Sequence, residues 1–299
     1  MARLGGALNK AMAKTETRSA TKKRFLLWTF TIIALMMLYP PVRSLLTTSA
    51  RKAYYLYILM IPLIVGYLFY RKRRILFSNS ENSCTGAIMM AVGLMLYFFR
   101  GNYGAHLNPD DYSSVGVFSV FVFWVGAFVF CFGYEKIKKE AFPFLFLLLM
   151  IPIPSDLFGK LIGLIQHASV EVTYGLFQVM GFPVLREGFV FHLNAIAVEV
   201  AEECSGIRTT IALFITGLLA ADLFLMTRWK KGVLVLSSLL IAILKNAIRI
   251  ITLTLLGAYV DVKLINQSFL HHPGGFIFFL FALVLLGGVL WMLRRSEKP

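Results

Sequence analysis

The sequence predicts an all-α polytopic membrane protein with about eight transmembrane helices, an outer amphipathic helix and a small β-hairpin between spans five and six. Three observations carry that prediction. Of 299 residues, 58% are hydrophobic and only 15% charged, an excess that no soluble core absorbs. Apolar runs on the scale of a bilayer crossing recur along the whole chain. The basic residues fall in short clusters between those runs, as orientation signals and headgroup contacts do. The net charge of +15 is therefore topological in meaning, and no nucleic-acid partner is expected.

Residues 1–24 are a polar tail carrying Lys10, Lys14, Arg18, Lys22, Lys23 and Arg24, expected to be cytoplasmic and mobile, ahead of a single transmembrane domain over residues 25–299. Span one covers residues 25–42. A basic leader before a short apolar run also fits a signal peptide, but no small-x-small cleavage site follows directly, so the run reads as an uncleaved helix. Span two, 53–70, ends in Arg71-Lys72-Arg73-Arg74. Span three, 85–99, leads into a polar loop with His106, Asp110 and Asp111, and span four covers 115–134. Span five, 141–154, stops at Pro152-Ile153-Pro154, after which Ser155 or Asp156 can cap the next helix.

Between Ser155 and Glu203 the pattern changes. Leu157, Leu161, Leu164, Ile165, Val170, Val172 and Leu176 recur at helical spacing among Lys160, Gln166, His167 and Glu171, which predicts the amphipathic helix. Phe189, Phe191 and Leu193, then Ile196, Val198 and Val200, alternate on either side of Asn194-Ala195 and predict the hairpin. Spans six, seven and eight follow at 205–226, 232–259 and 275–293.

An even number of spans puts both termini on one side, together with the basic clusters at 10–24, 71–74, 136–139, 228–231 and 294–298. The positive-inside rule makes that side the cytoplasm, against the dissent of Arg43, Arg51 and Lys52. Three unusual groups then share the outer face. Cys204 opens span six within Ala201-Glu202-Glu203-Cys204-Ser205-Gly206-Ile207-Arg208, where the positive end of a helix favours a thiolate. Arg249 lies inside span seven with Asn246 and Lys245 one turn before it, and a charge within a span is costly enough to face a polar interior or a functional site. His271 and His272 precede Pro273-Gly274-Gly275 in the loop before span eight. Each has a plainer reading: Cys204 as a small packing residue, Arg249 or Arg208 as a partner for Glu199, Glu202 or Glu203, and the histidines as solvated loop residues. Cys84 and Cys131 read as packing residues, the three cysteines have no metal-ligand spacing, and no cofactor motif occurs.

Four stretches together resemble the exosortase/archaeosortase family of multipass membrane cysteine transpeptidases, over roughly residues 140–290. They are Pro152-Ile153-Pro154, the Cys204-Ser205-Gly206 segment, Asn246-Ala247-Ile248-Arg249, and Leu270-His271-His272-Pro273-Gly274-Gly275. The resemblance implies a cysteine protease or transpeptidase of the cytoplasmic (inner) membrane that acts at the outer face. Its partners would be exported proteins bearing a C-terminal sorting signal (a Pro-containing motif, a transmembrane helix and a basic tail), membrane lipid, and an acceptor that the sequence does not name. By position it implies Cys204 as nucleophile, Arg249 as the essential arginine and His271 as general base and acid, with His272 the second choice. Arg208, Asn246 and Glu203 would support them. The rival class is a transporter or channel that uses Arg249 and Lys245 for an anionic solute.

Overall fold

The computed structural model describes residues 2–47, 55–78, 83–103, 107–193, 196–201, 206–259 and 274–297. The chain divides into two compact units, Met1–Ser155 and Asp156–Pro299.

In the first unit, α1 (Ala2–Thr47) runs through the basic leader without a break and is continuous with the first span. A 3-10 turn (Leu56–Leu59) precedes α2 (Ile61–Arg71) and the short α3 (Arg73–Leu76). Next come α4 (Cys84–Tyr103), α5 (Pro109–Phe132), α6 (Tyr134–Lys139) and α7 (Phe142–Leu147), which ends in a 3-10 turn to Met150. The start of α5 follows from its sequence: Pro109 fills an early position whose N–H would have no helical partner, and Asp110 and Asp111 answer the positive helix end. Asp111 Oδ1 also accepts from the Ser155 backbone N–H at 2.7 Å and its hydroxyl at 2.9 Å.

Close packing of α4 on α5 depends on glycine. A Cβ on Gly86 would lie 2.2 Å from Phe130 N, one on Gly93 2.6 Å from Phe123 N, and one on Gly126 2.7 Å from Met90 N. Small residues at such spacing let transmembrane backbones approach where no hydrophobic effect drives association. Phe69, Phe77, Phe128 and Phe144 interlock edge to face near α5, and the Trp124 indole N–H donates to Thr31 Oγ1 at 3.0 Å to tie α5 to α1.

In the second unit, α8 (Ser155–Val179) buries Phe158, Ile162, Gln166, Ser169, Val170, Thr173 and Phe177, a stripe repeating every three to four residues. The predicted helix is present: of its predicted apolar positions Val170 is buried, whereas Leu157 and Leu164 are exposed. In a membrane protein leucine gains nothing by turning from lipid to protein, so leucine periodicity is a weak guide to the packed face. The sheet β1 (Leu185–Glu187), β2 (Val190–Leu193) and β3 (Ile196–Glu199) is an antiparallel meander in sequence order. The predicted hairpin is its β2–β3 half, with Leu193 opposite Ile196. β1 is additional, turned into β2 by Gly188 at φ +61° and linked to α8 where the Arg186 guanidinium donates to Glu171 at 2.7 Å. The sheet packs with Val170 and Phe177 of α8 and with Ile250 and Ile251 of a later helix.

The remaining helices are α9 (Ile207–Phe224), α10 (Arg228–Tyr259) and α11 (Gly274–Arg295). Thr209 bonds Lys245 and Gly217 lies against Ser238, so α9 and α10 are antiparallel. Lys230 Nζ donates to Leu293 O at 3.5 Å, and Glu297 accepts from the backbone N–H groups of Thr227 and Met226 at 2.9 and 3.1 Å. The far end of α11 is therefore fixed to the α9–α10 turn, and its apolar side packs on α9 and α10.

Among the described residues six helices are long and apolar enough to cross a membrane, or seven if the broken pair Phe142–Met150 and Ser155–Val179 is one span. The polytopic all-α class holds. Residues of span two form the 3-10 turn Leu56–Leu59 and then α2 from Ile61, with the break at Met60 and Pro62 in the first turn of α2. Span five stops being helical at Met150.

Candidate active site

The site-bearing end of the second unit is built on the start of α9. Gly206 is its N-cap, in the left-handed region at φ +74° that side chains with a Cβ rarely adopt. It must also be small, because a Cβ there would lie 2.7 Å from Asn246 Oδ1 and 2.9 Å from its Cγ. Asn246 is fully buried in α10. The first-turn hydroxyls bond back onto the cap: Thr209 and Thr210 donate to Gly206 O at 2.9 and 3.0 Å. Lys245, only 3% exposed, donates its ammonium proton to Thr209 Oγ1. An unbroken relay thus runs from the Lys245 ammonium through the Thr209 hydroxyl to the Gly206 carbonyl, locking the first turn of α9 onto α10.

The chain entering this turn is also held upstream. Val200 N–H donates to Phe189 O at 2.9 Å, and Val200 O accepts from the buried Gln166 amide of α8 at 2.6 Å. The Val200 side chain belongs to the apolar cluster that contains Ile250 and Ile251. Residues 200 and 206 are therefore fastened to two ends of one stretch of α10, with Ile250–Ile251 at one end and Asn246 at the other. Arg249 lies within that stretch, half-buried, one turn beyond Asn246 on the same helical side. Arg208 is exposed on the first turn of α9.

Of the residues singled out in the sequence, Asn246, Arg249 and Arg208 are thus brought to one end of the α9–α10 pair, whereas Cys204, Glu203, His271 and His272 lie outside the described residues. The structure adds three residues not singled out as site residues: Thr209, Gln166 and Val200. Gln166 had a signal, since it is a polar residue on what becomes the buried face of α8. Thr209 had a weaker one, a hydroxyl one turn into an apolar span. Among the described residues no group of three or more His, Cys, Asp or Glu is arranged to hold a metal.

A multipass helical membrane protein with a buried polar cluster at one end of its bundle is the class that fold and site define. The sequence model of the transmembrane exosortase family (Exosortase_EpsH) matches residues 49–288 of the 299, and the chain belongs to that family. The match takes in the Cys204, Asn246–Arg249 and His271–His272 segments. No curated protein and no solved structure matches the chain.

Proposed function

We propose that this exosortase-family protein is a cysteine transpeptidase, with Cys204 as nucleophile, acting on the C-terminal sorting signals of exported proteins at the outer face of the cytoplasmic membrane. The observation that carries the reading is the double fastening of residues 200 and 206 to α10 on either side of Arg249. Chain geometry alone keeps Cys204 within about 7.6 Å of Gly206, Cα to Cα. His271 is three residues before Gly274, the first residue of α11.

In the proposed reaction the Cys204 thiol gives its proton to a histidine, His271 ahead of His272, and Sγ attacks the scissile carbonyl. The negative charge that builds on the carbonyl oxygen is met by the Arg249 guanidinium and by N–H groups at the start of α9. The C–N bond breaks, the histidine returns the proton to the leaving amine, and a thioester remains on Cys204. An acceptor nucleophile (an amine, a hydroxyl group or water) then displaces the sulfur, restoring the thiol. Asn246 holds the Gly206 turn in place, while Arg208 and Glu203 balance charge around the thiolate. Both termini lie in the cytoplasm, so the basic tail of a substrate helix stays on the side that positive-inside favours.

The test is processing of an exported reporter with a Pro-containing motif, apolar helix and basic tail. Cys204→Ala should accumulate the full-length precursor in the membrane, at wild-type enzyme levels. Undiminished processing by that variant removes the nucleophile and with it the mechanism. Lys245 is tied into the α9–α10 contact, so no observation favours the solute-transport alternative over the transpeptidase.

A further inference from the structure

The first unit contains a second feature with the makings of a binding site. A cavity of about 800 Å³ lies between α1, α2 and α5, walled by apolar side chains such as Leu27, Ala34, Leu38, Val65 and Val120. Its volume is within the ~300–1,000 Å³ of small-molecule sites. Two of the polar groups in its wall engage each other: Thr31 donates to Leu27 O at 2.8 Å and accepts from Trp124. Arg24, Arg73 and Arg74 also line it. All three come from the basic clusters of residues 10–24 and 71–74, which the sequence assigns to one membrane face. Glu140 is paired with Lys72 and Glu135 with Lys138, and among the described residues no ion pair engages the three arginines. Arg73 lies over the Tyr70 ring at 4.2 Å, a contact that holds the guanidinium without neutralising it.

An apolar cavity that carries uncompensated cations matches a molecule with a hydrocarbon body and an anionic head. We propose that this cavity binds an anionic phospholipid from the leaflet that carries residues 71–74, its acyl chain lying between α1, α2 and α5 and its phosphate among Arg24, Arg73 and Arg74. Basic pockets between transmembrane helices on the cytoplasmic side bind such headgroups. A helix with a basic end does not fit the same place, because its cations would meet three guanidinium groups. Filled in this way, α1 and α2 gain a common partner, which makes the lipid a stabilising element of the first unit.

The full chain is purified, delipidated in neutral detergent, and examined by native mass spectrometry and thermal unfolding. Phosphatidylglycerol should remain as a one-to-one adduct and raise the unfolding temperature, whereas phosphatidylcholine with the same chains should not. Arg24→Gln, Arg73→Gln and Arg74→Gln combined should weaken phosphatidylglycerol binding by about a hundredfold, taking ~1 kcal/mol per basic residue. The matching lysine triple, which preserves charge and orientation, should retain most of it. Gly66 lines the cavity with open space around it, so Gly66→Trp should displace the lipid with every arginine in place. Equal stabilisation by phosphatidylcholine would overturn the proposal. So would full lipid retention by Gly66→Trp, an equal shift from inorganic phosphate alone, or displacement of the lipid by a basic-tailed transmembrane peptide.

Discussion

Replacing Gly206 by alanine tests the contact on which the candidate site is built. Two costs can be worked out separately. Holding an L-residue at φ +74° costs about 1–2 kcal/mol. The new methyl would also stand 2.7 Å from Asn246 Oδ1 and 2.9 Å from Cγ, while Asn246 is fully buried and has no open side to turn to. Overpacking of that kind costs about 1–3 kcal/mol. Gly206→Ala should therefore destabilise the second unit by about 2–5 kcal/mol, with a loss of reporter processing. Only the second cost depends on Asn246. In a Gly206→Ala/Asn246→Ala double variant the clash is gone and the backbone strain remains, so the two substitutions should be non-additive by about 1–3 kcal/mol in the favourable direction. The assay is a double-mutant cycle by equilibrium or thermal unfolding in one detergent, with processing as a second readout. Strict additivity would refute the contact, and a Gly206→Ala cost below about 0.5 kcal/mol would refute the left-handed cap as well.

Two further outcomes follow from the same geometry. Arg249→Lys keeps the charge but loses the planar fork, and should lower kcat by about 10²-fold or more with little change in KM, as measured on a purified reporter. Backbone N–H groups of Thr227 and Met226 hold the Glu297 carboxyl below its ordinary value of 4.5. A depressed carboxyl pKa stabilises the fold above the unfolded value and loses that contribution as pH falls through the folded one. The wild type should therefore unfold at a higher temperature than Glu297→Gln at neutral pH, with the gap closing as the medium is acidified from 4.5 downward; a gap that widens in acid contradicts the contact.

How far the sequence was legible varies with the physics of each element. The long spans were plain, because bilayer thickness dictates a run of apolar residues whatever they pack against, as in α5, α10 and α11. The breaks within spans two and five were not legible: hydropathy sees the apolar residues around Met60 and after Met150 but not where the helix is interrupted. The packed face of α8 was not legible, because Leu157 and Leu164 are as content against lipid as against protein. β1 was invisible, since Leu185-Arg186-Glu187 has no alternation and owes its pairing to the turn at Gly188. At the site, Asn246 and Arg249 were singled out as polar residues within an apolar span, while Cys204 and the two histidines lie outside the described residues. The tight fit of Gly206 on Asn246 and the hold of Gln166 on Val200 depend on tertiary approach, which no local pattern encodes.

The most direct test of the proposed chemistry is to trap the covalent intermediate. The wild-type enzyme, purified away from acceptor amines, is incubated with the sorting-signal reporter, quenched in acid during the first turnover, digested and analysed by mass spectrometry. A hydroxylamine-labile thioester joining the reporter's N-terminal portion to the peptide that carries Cys204 is the predicted result. Processed reporter without any Cys204 adduct, at a rate matched by Cys204→Ala, would contradict it.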